Sequence, residues 1–172
     1  MNIMEYLRQF KEWQHYFNDA DVTDIKTIES GNDLRTFIAA MLSYYPWWIV
    51  MLYRIRVLMV RLFGLARHEA PQELPNLLPG QISFTPGDMV TFFIVRVTEE
   101  NVYWFAETPP DRHLRAYFGI VAEPLANGRN RYYIVTIVHY LHWTGPVYFN
   151  LIRPFHHLVV ASMMRAGARE SN

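Results

Sequence analysis

Residues 131–143, RYYIVTIVHYLHW, carry large apolar side chains at odd and even positions alike. Read as a strand, they put Tyr133, Val135 and Ile137 on one face and Ile134, Val138 and Tyr140 on the other. A strand with one face in water alternates apolar and polar residues. This one does not, so its sheet must be covered on both sides. One cover is the body of the domain. The other is the N-terminal helix or a second subunit.

The preceding segments read as neighbouring strands. Residues 89–98, 101–107 and 112–123 are rich in β-branched and aromatic residues. Glu99-Glu100-Asn101 reads as a hairpin turn, and Asn127-Gly128 is a strong turn signal before the last strand. Consecutive hairpins imply an antiparallel meander. Strands of 12 and 13 residues, over 112–123 and 131–143, exceed ordinary lengths and imply a bent sheet.

Helical periodicity marks the rest. Residues 3–17 form an amphipathic stripe of Ile3, Tyr6, Leu7, Phe10, Trp13 and Phe17. Residues 22–29 read as a strand. Ser30 and Asp33, at capping-box spacing, start a helix that runs to about Ser43. Pro46 opens the next, which runs to about Phe63 and stops at Gly64. Trp48, Leu52, Ile55, Met59 and Leu62 fall on one side of it, and Arg54 and Arg61 on the other. Residues 64–88, with Pro71, Pro75, Pro79, Gly80, Pro86 and Gly87, form a long loop, with a short strand expected over 81–84. The last helix spans about 145–168, with Pro146 at its start and Pro154 inside it, where a kink is expected near Asn150. Phe149, Ile152, Val159, Val160 and Met163 share one face, with His156 in its middle.

The expected fold is therefore α+β. A curved antiparallel sheet wraps around a long C-terminal helix, two helices follow the first strand, and an extra amphipathic helix leads. The division is 1–18 for the N-terminal helix, 19–168 for the domain and 169–172 for a disordered tail. A sheet bent around a helix leaves an apolar cavity, and such mouths commonly hold ligands.

Composition narrows the function. With 51% hydrophobic and 16% aromatic residues, the chain has enough to bury for one core, which argues against disorder. The formal net charge is zero, so no nucleic-acid partner is expected. Residues 1–35 lean acidic, whereas 50–68 carry Arg54, Arg56, Arg61 and Arg67 without an acid. Arg54, Arg56 and Arg61 argue against a transmembrane segment over 44–64. No cysteine is present, which removes disulfides and thiolate chemistry and fits a cytoplasmic location. No Gly-x-Gly-x-x-Gly, P-loop or Gly-x-Ser-x-Gly stretch occurs, and no cofactor is expected.

The order of elements resembles the START-like helix-grip (SRPBCC) superfamily. Pro46-Trp47-Trp48, then Arg54 to Arg56, then Phe63-Gly64-Leu65 resemble a second-helix signature of the bacterial domain-of-unknown-function family number 2867. Asp111-Arg112-His113-Leu114 resembles its strand motif, and Pro154-Phe155-His156 its last-helix motif. The resemblance covers roughly 20–167. It implies a pocket for an apolar or amphipathic molecule, lipid-like or polyketide-like, and no particular reaction.

His156 is the main candidate residue. An imidazole on an apolar face needs a hydrogen-bond partner. Facing a cavity, it holds a ligand's polar head or acts as acid or base. Otherwise it is a core histidine satisfied by a tyrosine or carboxylate. Asp111 and His113, two apart at a strand start, share a face and form a second catalytic candidate, unless Asp111 only caps a turn. Arg153, one turn before His156, is placed to hold a carboxylate or phosphate, or to pair with Asp111 or Glu107. The expected ligand-binding set is His156, Arg153, His113, Phe149, Ile152 and Val160. No metal is expected, because His139/His142 and His156/His157 lack ligand spacing. A site from His113, His156 and a carboxylate remains open. Three readings compete: a hydrophobic small-molecule binding protein, a cyclase- or dehydratase-type enzyme, and a scaffold acting through the N-terminal helix. A homodimer is compatible with each.

Overall fold

The computed structural model describes residues 6, 7, 9–62, 76–109 and 113–170, with the backbone alone over 56–62. The elements run α1 (Lys11–Phe17), β1 (Val22–Ser30), α2 (Leu34–Leu42), α3 (Trp47–Leu62), a 3-10 turn (Pro79–Gln81), β2 (Met89–Val90), β3 (Phe93–Glu99), β4 (Tyr103–Glu107), β5 (Leu114–Pro124), β6 (Asn130–Tyr140) and α4 (Gly145–Gly167). The strands form one sheet in the order β1-β6-β5-β4-β3-β2, and every neighbouring pair is antiparallel. This is the α+β, helix-grip arrangement expected.

Both faces of β5 and β6 are covered, as their sequence requires. Inward-facing Trp104, Phe118, Ile120, Tyr132 and Ile134 pack with Phe37 and Ile38 of α2 and Val160 and Met164 of α4. Outward-facing Tyr103, Phe105, Tyr117, Tyr133 and Val135 pack with Leu7 and Trp13. Of the two covers considered, the N-terminal segment provides this one. The Trp13 ring lies 4.6 Å from Phe105, and Tyr16 lies 4.7 Å from Tyr117. Gly119 makes the contact possible: a Cβ there would lie 2.7 Å from the Trp13 indole.

Several local expectations need correction. The helix expected over 3–17 is interrupted, because Phe10 takes ψ 87 and α1 starts at Lys11. Ser30 is not the helix cap. It ends β1, fully buried, while Asp33 caps α2 by accepting from the Thr36 N–H at 2.9 Å. Residues 89–98 form two strands, because Thr91 adopts a left-handed φ of 56° and the chain turns. No strand forms over 81–84. The Trp104 indole donates to Ser83 O at 3.0 Å and Thr98 Oγ1 to Phe84 O at 2.5 Å, so side chains hold this backbone where a ladder would. The stop at Gly64 lies outside the described residues.

Candidate functional site

Helix α4 crosses the inner face of the sheet, tied at both ends. At its C-terminus, the Asn32 amide donates to Gly167 O and Arg169 O, each at 2.9 Å. Ser30 Oγ donates to Ala168 O at 3.3 Å. These bonds occupy carbonyls that a helix end leaves without an internal partner. At the other end, His113 Nδ1 sits 2.6 Å from Thr144 Oγ1, and Leu141 N donates to His113 O at 2.9 Å.

Between the ties, α4 rests on two separate apolar clusters. Tyr148 and Phe149 pack with Leu114 and Val138 near one end. Val160 and Met164 pack with Phe37, Tyr132 and Ile134 near the other. His156 falls between them. Below it, the register sets Asp24, Thr136, Phe118 and Ala106 side by side across four strands. Thr136 is only 5% exposed. Its Oγ1 lies 3.4 Å from His156 Nε2, near the long limit for a hydrogen bond. A hydroxyl both donates and accepts, so this pairing tolerates either imidazole tautomer.

The polar character continues towards the β1 edge. Strand periodicity turns Asp24 and Lys26 to the same face as Thr136. Lys26 pairs with the Asp24 carboxylate, and its Nζ lies 2.9 Å from His157 Nδ1. His157 Nδ1 is also 3.3 Å from Asp24, and Arg153 Nε donates towards His157 Nε2 at 3.4 Å. The Asp24, Lys26 and His157 side chains are 23%, 19% and 36% exposed. Ile152, His156, Val159 and Met163 face the sheet yet remain half-buried. Solvent therefore reaches a seam between α4 and β1 that is apolar along its length and polar in its middle.

Phe149, Ile152, His156 and Val160 share the sheet-facing side of α4, as the helical spacing predicts. Arg153 is exposed and turned towards His157. Its expected partner Glu107 lies on β4, where Arg96 at 2.6 Å and Arg115 at 3.4 Å hold its carboxylate. His113 is not brought to His156. It contacts Thr144, and His156 stands about 18 Å further along, at about 1.5 Å of rise per residue. A metal site built from these two histidines is therefore not formed. Asp111 lies outside the described residues. Among the described residues, no group of three or more histidine and carboxylate side chains is arranged to hold a metal ion.

The sequence reading weighed His157 only as a metal-ligand partner of His156, and did not single out Thr136, Asp24 or Lys26. Thr136 was legible as the hydroxyl in the apolar run 132–138. The others depend on which face of β1 turns inward, and pairing with the distant β6 decides that.

The fold and this seam define an α+β helix-grip protein with a polar pair set into an apolar helix–sheet contact. Across residues 14–163, the chain belongs to DUF2867, a protein family of unknown function. No curated protein matches it. The crystal structure of Ara h 8.0201 is similar at 9% identity over 85% of this chain and 97% of that one, with a TM-score of 0.42. The hypothetical protein jhp0584 from Helicobacter pylori is similar at 12% identity over 92% and 94%, with a TM-score of 0.43. Norcoclaurine synthase from Thalictrum flavum, in complex with dopamine and hydroxybenzaldehyde, is similar at 12% identity over 88% and 90%, with a TM-score of 0.40. The fold assignment rests on the element order and strand pairing of this chain.

Proposed function

We propose that this protein binds an amphipathic small molecule in the seam between α4 and the inner face of the sheet. The apolar body lies along Phe149, Ile152 and Val160, and the polar head meets His156 and Arg153. One observation carries the reading: a half-buried imidazole, paired with a buried hydroxyl, interrupts an otherwise apolar contact that solvent reaches. The charged rim refines it. Lys26 and Arg153 line the rim beside Asp24, and a carboxylate, sulfonate or phosphate head would pair with these two cations.

The test uses 8-anilinonaphthalene-1-sulfonate, which joins an anionic group to an apolar body. It should bind saturably, one per chain. His156→Leu and Arg153→Gln should each weaken binding by about five- to tenfold, roughly the value of one net hydrogen bond, without changing the far-UV circular dichroism. Native mass spectrometry of the freshly purified protein should also find a bound small molecule. Absence of both saturable dye binding and a co-purified molecule removes the proposal.

A second reading, an acid–base enzyme of the cyclase or dehydratase type, draws on the same pair. Asp24 lies beside Thr136 in the register, so a carboxylate, a hydroxyl and an imidazole meet at one place. The scaffold reading loses its main feature, because Leu7 and Trp13 of the N-terminal stripe are spent on the sheet.

A further inference from the structure

Helices α3 and α4 turn apolar stripes to solvent. On α3, Trp47, Met51 and Ile55 recur every fourth residue and are 77%, 46% and 45% exposed. On α4, Val147, Leu151, Phe155 and Leu158 keep helical spacing and are 66%, 48%, 50% and 52% exposed. The two helices lie against each other. Single exposed apolar residues are ordinary on a protein surface, whereas stripes on adjoining helices mark a contact face.

The charge on these segments has one sign. No aspartate or glutamate occurs from residue 34 to 68, or from 124 to 169. Arg54 on α3 and Arg165 on α4 are exposed, whereas Arg153 turns to His157 on the other side of α4. The whole chain is formally neutral, so this cationic bias is local. It also discriminates between occupants. In a two-fold contact between copies, a patch meets itself, and Arg54 and Arg165 would face arginines without a carboxylate between them. An anionic lipid surface supplies the missing charge and accepts the apolar stripes. Among the described residues, no single helix is long and apolar enough to cross a membrane, and the one bent pair that passes by length and composition includes α2, whose apolar residues are buried in the core.

We propose that the α3–α4 face docks on an anionic lipid bilayer. Trp47, Met51 and Phe155 enter the head-group boundary, and Arg54 and Arg165 meet lipid phosphates. The docking does not depend on the seam holding a ligand.

The full chain is tested by flotation with vesicles of phosphatidylcholine mixed with phosphatidylglycerol, and with vesicles of phosphatidylcholine alone. It should float with the mixed vesicles, not with the neutral ones, and high salt should release it. Trp47→Glu combined with Phe155→Glu, and separately Arg54→Glu, should each lower the bound fraction about tenfold. All three positions are exposed, so the fold should persist, as far-UV circular dichroism will verify. Absence of binding to the anionic vesicles overturns the proposal. So does a wild-type dimer in analytical ultracentrifugation that Trp47→Glu with Phe155→Glu converts to a monomer, because the face then belongs to a second copy.

Discussion

Thr136 carries a hydroxyl through a sheet face built from Phe118, Ile120, Ile134 and Ala106. Its partner is His156, and the 3.4 Å separation sets how much the pair contributes. A typical net hydrogen bond is worth about 1 kcal/mol, and a long one less. Thr136→Val should therefore destabilise the protein by less than about 1 kcal/mol, by removing this one contact of the imidazole. Thr136→Val with His156→Leu should cost less than the two single changes summed. Urea denaturation of the four proteins in this cycle measures the coupling. A coupling of zero would mean that the hydroxyl and the imidazole do not interact. Glu107 is a sharper case on the outer face. Its carboxylate is almost fully buried between Arg96 and Arg115. Glu107→Gln keeps the shape and removes the charge, and should cost about 2 kcal/mol, the scale of hydrogen bonds to charged groups. A urea midpoint unchanged from wild type would show that the arginines prefer water.

At the scale of elements, α1 behaves as a lid on the second face of the sheet. The lid closes because Gly119 leaves room for the Trp13 indole. Gly119→Val should push Trp13 off the sheet at a cost of about 1–3 kcal/mol, as overpacking does elsewhere. Removing residues 1–17 should go further. It uncovers Tyr103, Phe105, Tyr117, Tyr133 and Val135 together, and such a patch should drive self-association. Sedimentation velocity of the truncated chain checks this, and a well-behaved monomer would contradict it. The need for a lid was legible in residues 131–143 because face alternation is a local property. The hairpin at Asn127-Gly128 was legible for the same reason: Gly128 takes φ 77° and the Asn127 side chain accepts from Arg129 N at 3.1 Å. The break at Thr91 was not legible, because a left-handed threonine carries no propensity signal. The polar edge of the site was hidden differently. β1 has mixed residues on both faces, and only the pairing of Asp24 with Thr136, made across more than a hundred residues, shows which face lies under α4.

At the scale of the molecule, both packed faces of the sheet share a dependence on neutral phenols. Burial, first among the causes in each case, raises the pKa of Tyr103, Tyr117 and Tyr133 on the outer face and of Tyr132 on the inner one. Burial also raises Tyr6, Tyr16, Tyr45 and Tyr140. Nearby carboxylates add to this at Tyr103 and Tyr133, through Glu12 and Glu123. A phenol in the unfolded chain ionises near pH 10, whereas the folded one resists. The stability linked to these groups is therefore complete below pH 10 and is lost as the pH rises from there through the folded values. Few other groups blur the effect, since Lys11 and Lys26 are the only lysines and arginine keeps its proton. The urea midpoint should hold steady from pH 8 to about 9.5 and fall steeply above 10. Phenolate absorbance should rise together with loss of far-UV circular dichroism, because the buried rings ionise when the two faces of the sheet come apart. A titration in which most tyrosines ionise near pH 10 while the native circular dichroism persists would contradict this account. The rings on both faces would then already be open to water, and neither the lid of α1 nor the grip on α4 would be as tight as the packing requires.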